Sequence, residues 1–446
     1  MDCAVSYRLW SIVYHYCPVK DKKGGPKASF VIRFESTTSQ INNMNKSTFF
    51  TGQPIFSQLI RLIPQVEVQR IARQSASNRY CKKFDTWHHL VTMLYCCYQH
   101  CTSLREVTTG MSACEGRLQS LNLRHFTRKS TFSDANKRRD AAVFENIYQM
   151  LYRRLSPALP DSRLKGGIFK RLFIIDSTTI SLFTSIYKAV GPKPVNGKKK
   201  GGLKVHMAVQ SDHDVPCFVR VTSGATDDKS FAKQVQFPKG SYVVFDKGYH
   251  SYRYYNDLNK NGVSWITRPR YNTAMKVISH SVVNELEDKL GVRKDEQVIM
   301  GHPEKHIIKV KCRRITFYDS VNKRSFEFIT NNNRAKASTI AAIYKQRWQI
   351  ELLFKRLKQN MPLQYFLGDN QNAIQIQIWC TLIADLLLKA ATKGIKRNWA
   401  FSNLSSLIRL HLMNYTDLRK FLNNPEKAKI IMPSLQNQDQ LLLFSD

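Results

Sequence analysis

Three acidic residues stand where a charge needs a reason. Asp176 closes the apolar run that starts at Arg171 and is followed by Ser-Thr-Thr; Asp246 closes the run Ser241–Phe245 and is followed by Lys-Gly-Tyr. Both runs read as buried strands. In α/β sheets, ligands bind beyond the carboxyl ends of such strands. An Asp opening a turn explains either residue alone, but the same placement twice in one sheet weakens that explanation. The third acid lies in a segment that reads as one helix over 335–360. At about 100° per residue, Tyr344, Arg347, Glu351, Lys355 and Lys358 share a stripe about 80° wide. Ile343, Ile350, Leu353, Phe354, Leu357 and Met361 form a separate apolar face. A solvated salt-bridge face is common on helices, yet it accounts neither for the Tyr nor for Glu351 standing alone among cations.

Three carboxylates with cations around the third fit phosphoryl chemistry. Two divalent ions about 4 Å apart need shared oxygen ligands, which Asp176, Asp246 and Glu351 would supply. One ion makes an attacking water or 3′-hydroxyl easier to deprotonate, and the other stabilises the leaving oxygen. Mg²⁺ is the expected metal, with Mn²⁺ as the second choice. The cations near Glu351 would hold flanking phosphates, not metal. Nucleophilic-serine chemistry lacks its Gly-x-Ser-x-Gly elbow. The chain has no P-loop, so no nucleotide cofactor is expected. Cys96, Cys97, His100 and Cys101 lack a usual zinc spacing and continue the apolar run Leu90, Met93, Leu94, Cys97; they read as buried reduced thiols.

The elements that would position these residues form an α/β region preceded by an all-α one. Residues 1–44 show no sustained period and carry the break Lys23-Gly-Gly-Pro-Lys27, so they read as a poorly ordered arm, with patterned sequence from Met44. Residues 45–160 read as a helical DNA-binding domain. It would include a helix over 103–109, a turn over 116–121, and a long helix over 130–155 capped by Ser130. Its basic start at Thr127-Arg128-Lys129 resembles that of a helix-turn-helix reader, with a plain bundle as the alternative. Residues 161–400 follow the order strand, strand, strand, helix (226–235), strand, helix, strand. A mostly β insertion over about 271–325 interrupts them, and residues 401–446 read as a helical C-terminal segment.

Lys and Arg number 69 against 33 Asp and Glu, a formal net charge of +36. Such an excess destabilises a compact chain unless a polyanion offsets it, and nucleic acid is the common one. The basic residues run along the whole chain instead of flanking one apolar helix, which disfavours a membrane surface. No apolar run approaches the roughly 18 residues of a bilayer span, and the expectation is a cytoplasmic, unexported protein. The Gly- and Lys-rich loop over 193–204 is expected to touch DNA through Lys198, Lys199, Lys200 and Lys204. Arg128 and Lys129 are expected to reach guanine edges from a helix start.

With these residues assembled, the chain resembles the DDE transposases of bacterial insertion sequences, in the IS4-type group whose signature is Tyr-x2-Arg-x3-Glu-x6-Lys. Tyr344, Arg347, Glu351 and Lys358 match that signature, and Ile-Ile-Asp176-Ser-Thr-Thr and Val-Val-Phe-Asp246-Lys-Gly-Tyr match its two Asp motifs. The stretch Gly201–His206 is similar to the family's second strand. The stretches around Thr51–Ile60 and Ser130–Asn136 are similar to a helical domain found ahead of it in one branch. The resemblance, over roughly 45–400, implies an RNase H-like catalytic domain with a β insertion before the Glu helix. It also implies metal-dependent cleavage and strand transfer at terminal inverted repeats, cut-and-paste movement and a synaptic homodimer on double-stranded DNA. Tyr344, Arg347 and Lys358 would contact the DNA end. The insertion-domain Trp that stabilises a flipped base in relatives has no counterpart in 271–325, and Trp265 falls earlier, in a core strand. The competing readings are a structure-specific nuclease of the same fold and a catalytically dead DNA-binding derivative.

Overall fold

A computed structural model of the chain describes residues 9–20, 26–37, 52–123, 126–159, 167–168, 171–181, 202–212, 214–223, 231–301, 308–361, 363 and 365–427. It divides into two compact units, one of residues 1–41 with 152–355 and one of 42–151 with 356–446. The boundary differs from the expected 160/161 and 400/401 divisions: it falls inside the helix Trp348–Asn360, and the helices beyond it join the N-terminal ones.

In the first unit, β1 (Leu9–Lys20) and β2 (Pro26–Thr37) pair antiparallel as a separate two-stranded sheet. This departs from the expected arm, although the Gly-Gly-Pro break does lie at the junction between the strands. Among the described residues the main sheet has nine strands: β3 (Leu172–Ser181), β4 (Gly202–Gln210), β5 (Val215–Ser223), β6 (Tyr242–Phe245), β7 (Ser264–Thr267), β8 (Met275–His280), β9 (Val292–Met300), β10 (Val310–Asp319) and β11 (Arg324–Thr330). Their order is β5-β4-β3-β6-β7-β11-β10-β9-β8. Strands β5, β4 and β3 run antiparallel, and β6 and β7 continue parallel to β3. Three antiparallel strands followed by two parallel ones form an RNase H-like core. The insertion extends that sheet through the antiparallel set β11, β10, β9 and β8. Residues 226–230 of the expected helix over 226–235 lie outside the described residues.

The central strands are continuous apolar runs because both of their faces are covered. Leu172, Ile174, Ile175, Val243, Val244 and Phe245 are buried. On one face, Leu172, Val244, Ile266 and Phe328 pack with Ile340 and Ile343 of the helix Ala337–Lys345. Elsewhere in the core, Trp265 stacks on Tyr255 at 4.4 Å and Tyr255 stacks on Phe245 at 5.9 Å, while the Trp265 indole N–H donates to Asn259 Oδ1 at 2.9 Å. This aromatic column holds β6, and therefore Asp246, against β7.

The second unit is helical. Asp85 caps Thr86–Gln99 by accepting from the His88 N–H, and Ser103 caps Leu104–Ala113 by accepting from the Glu106 N–H. The expected long helix over 130–155 is two helices, Lys129–Arg138 and Ala141–Leu155; Arg128, not Ser130, occupies the N-cap and makes no side-chain capping bond. The helical C-terminal segment expected over 401–446 holds two α-helices among the described residues, Phe401–His411 and Leu418–Asn423. Gln371–Thr392 is apolar on nearly every side and is buried among its neighbours. Tyr98 donates to the Ala384 carbonyl at 3.1 Å, and Tyr148 packs on Trp379 at 5.6 Å. By length and composition this helix could cross a bilayer, which corrects the expectation that no segment could, but most of it is buried inside the protein. Cys96, Cys97 and Cys101 are buried, and the Cys97 thiol lies 3.8 Å from the Thr381 hydroxyl.

Trp265→Ala should loosen β6. Hydrogen exchange at Val243–Phe245 is expected to show about 3–5 kcal/mol less protection. A change below about 1 kcal/mol would show that the column does not seat this strand.

Candidate active site

Strand pairing brings the first two carboxylates together. The parallel ladder between β3 and β6 ends at Ile175 opposite Phe245, so Asp176 and Asp246 are the next residues on adjacent strands. Such strands run about 4.8 Å apart. One expectation needs correcting: β3 does not stop at Asp176 but runs on to Ser181, held by β4, with Asp176 opposite Met207. It is the parallel ladder that ends there.

Glu351 arrives on a helix, in a different way from the expected one. Residues 335–360 form two helices, Ala337–Lys345 and Trp348–Asn360, divided at Gln346-Arg347. Around the break the backbone tightens into three-residue turns: the N–H groups of Gln346, Arg347, Gln349 and Ile350 bond to the carbonyls of Ile343, Tyr344, Gln346 and Arg347. The single stripe running from Tyr344 through Lys358 is therefore interrupted. Tyr344 packs against Phe328 with ring centroids 4.8 Å apart, on the edge of the core.

The break delivers Arg347 between the acids. Its Nη1 donates to Asp176 Oδ2 at 3.2 Å, and its Nη2 meets Glu351 Oε1 at 2.6 Å. Sequence reasoning assigned this cation to phosphates alone and missed the clamp. The Tyr344 ring lies 5.9 Å from the guanidinium carbon. Burial pushes the Asp176 carboxyl up to about 6; Asp246 and Glu351 push the same way, while the Ser177 N–H bond at 2.8 Å and Arg347 oppose them. Burial also raises the Tyr344 phenol, with Asp246 adding to it and Arg347 opposing. Asp176, Asp246, Glu351, Tyr344 and Arg347 thus share one electrostatic neighbourhood.

Among the described residues, no three acidic, His or Cys side chains are grouped tightly enough to hold an ion. Arg347 stands between two of the acids, bonding one oxygen each of Asp176 and Glu351. The donor set still fits a hard cation: two carboxylates abreast and a third across a guanidinium, with a buried Asp that lacks full charge compensation.

The other expected contacts fall in several places. Lys355 is exposed on the Glu351 helix; Lys358, further along it, is half-buried, and burial lowers its ammonium below the ordinary lysine range. Lys204 pairs with Thr179, three positions from Asp176 along β3, so the pleat turns it to the opposite face. Lys198, Lys199 and Lys200 lie outside the described residues. Arg128 and Lys129 are exposed at the start of their helix in the second unit. Sequence reasoning also overlooked Trp348 and Leu352, which are 58% and 48% exposed and flank Glu351. The signal was available, because both fall beside the charged stripe on the helical wheel and away from the apolar face.

An RNase H-like sheet carrying adjacent aspartates, with a glutamate helix after a β insertion, defines the DDE class of DNA-processing enzymes. Residues 167–387 match the model of the transposase DDE domain, and 51–124 match a domain of unknown function. A putative transposase of Sinorhizobium fredii, y4zB, is 32% identical over 262 residues, 58% of this chain and 70% of that one. A putative transposase for the insertion sequence element IS4SA of Synechocystis is 28% identical over 275 residues, covering 60% and 73% of the two chains. A piggyBac transposase synaptic complex with hairpin DNA superposes with a TM-score of 0.38 at 10% identity, covering 89% of this chain and 84% of that one. The chain belongs to the DDE transposases of bacterial insertion sequences, enzymes that depend on divalent metal and bind DNA.

The folded Asp176 keeps a proton up to about pH 6, whereas the unfolded chain releases it near 3.8, so stability falls as pH rises between those values. In chelator, Asp176→Asn should raise the melting temperature at pH 8, by an amount worth up to about 3 kcal/mol, and change it little near pH 4. Equal melting temperatures at pH 8 would show that the carboxyl carries no such burden.

Proposed function

We propose that Asp176, Asp246 and Glu351 are the catalytic carboxylates, and that they hold two divalent ions, Mg²⁺ in the cell, during cleavage and strand transfer at the terminal inverted repeats of an insertion sequence. The observation that carries this reading is the end of the β3–β6 ladder, which sets Asp176 and Asp246 abreast, with Arg347 linking Asp176 to Glu351. When bound, the ions would supply an activated oxygen nucleophile and a charge sink for the leaving oxygen. The chain's own residues supply the geometry. The two aspartates present oxygens from a rigid sheet. Glu351 approaches from a helix, where its position can adjust without disturbing the ladder. Arg347 offsets carboxylate charge before DNA arrives; once other cations share that charge, its fork is suited to a phosphate. Tyr344, Lys355 and Lys358 contact the DNA backbone near the cut, and Lys198, Lys199 and Lys200 add positive charge along its path. Arg128 and Lys129 of the helical domain read the repeat. The working form is a homodimer on double-stranded DNA in the cytoplasm.

Asp176→Asn, Asp246→Asn and Glu351→Gln should each reduce cleavage of a labelled inverted-repeat end to background while leaving its affinity within about threefold in a gel-shift assay. Joint loss of binding and cleavage would mean that these residues serve folding. Cleavage without joined product would assign the chain to the nucleases.

A further inference from the structure

The strongest feature outside the catalytic sheet is a cleft of about 910 Å³ in the helical unit, at the upper end of the range typical of ligand sites. One wall is the segment from Ser75 to Phe84, which links the helices Gln65–Gln74 and Thr86–Gln99; the other is the helix Lys129–Arg138 with the residues just before it. Arg79, Lys82, Lys83, Arg128, Arg138 and Arg139 line the cleft against a single acid, Asp140. These cations do different jobs. Arg139 is 95% buried by its surroundings, being 5% exposed, and serves the wall: it bonds His89 Nδ1 at 2.8 Å, the Phe84 carbonyl at 3.0 Å and Cys81 Sγ at 3.3 Å. Arg138 faces Asp134 at 3.5 Å. Among the described residues, Arg79, Lys82, Lys83 and Arg128 make no ion pair. The cleft is therefore built on one buried arginine and lined by four uncompensated cations.

At its edge stands Tyr80, 89% exposed, with the Arg79 guanidinium carbon 5.0 Å from its ring centroid. An open aromatic face backed by cations is poor packing for a lone domain and good chemistry for a nucleobase, whose face is free only when it is unpaired. Duplex DNA offers phosphates but hides its base faces, so the Tyr80 ring discriminates between the two forms.

We propose that this cleft binds single-stranded DNA, with phosphates on Lys82 and Lys83 and one unpaired base stacked on Tyr80. This deepens the reading of the chain as a DNA-processing enzyme by giving the helical domain the strand opened at the element end. It places the role on residues 75–84 and 126–140, at a distance in sequence from every carboxylate assigned to chemistry.

The test is fluorescence anisotropy of the full chain in chelator, with labelled oligo(dT) and a labelled blunt duplex as probes. Tyr80→Ala should weaken oligo(dT) binding about tenfold and leave duplex binding unchanged, and Tyr80→Phe should restore it. The Lys82→Ala, Lys83→Ala double variant should lower the salt slope for oligo(dT) by about 1.4, two contacts at about 0.7 each. Unchanged oligo(dT) binding by Tyr80→Ala would overturn the proposal, as would equal loss on both probes. Because binding in chelator needs no chemistry, a chain that failed to cut DNA would still report on the cleft. A chain that cut normally but lost neither stacking nor salt dependence would sink the cleft alone.

Discussion

Everything at the site depends on where one parallel ladder ends. The β3–β6 pairing stops at Ile175 and Phe245, and chain geometry then sets two carboxylates side by side at the spacing of neighbouring strands. Neither Asp can be moved without shifting a buried strand. β3 is clamped on its other edge by β4, and β6 is seated by the Phe245–Tyr255–Trp265 column. The repulsion and desolvation that follow appear in the raised Asp176 carboxyl. A protein that keeps two carboxylates in this arrangement sacrifices stability, and in the proposed function a divalent cation would give it back.

Arg347 offsets the charge of the acids. By bridging Asp176 and Glu351, this residue links the sheet to the helix across the break at residues 346–347. The tight turns at that break bring the arginine inward while Tyr344 stays against Phe328. In the proposed function, the same guanidinium that compensates the acids would also meet a phosphate at the DNA end.

Much of this was legible in the sequence, for identifiable reasons. The apolar runs before Asp176 and Asp246 announce central strands because both faces are buried. Glu351 stands out because one acid among cations on an amphipathic helix has few structural uses. Other features left no local mark. Strand order depends on long-range pairing, so the adjacency of β3 and β6 is invisible in either run. The break at Gln346-Arg347 preserves apolar periodicity on both sides, which is why the segment reads as one helix. Ser130 has the right chemistry for a cap, but the chain enters its helix two residues earlier. Gln371–Thr392 reads as part of the catalytic region by position, whereas its nearly all-round apolar surface is buried by the N-terminal helices.

The central claim is that Asp176, Asp246 and Glu351 converge on shared metal. Affinity cleavage tests it most directly: Fe²⁺ replaces the native ion, and hydroxyl radicals released by ascorbate and peroxide cut the backbone wherever the metal sits. The account predicts three cuts, near residues 176, 246 and 351, all suppressed by excess Mg²⁺ and all lost together in Asp176→Asn. Cuts confined to other segments, or cuts that persist unchanged in that variant, would contradict it.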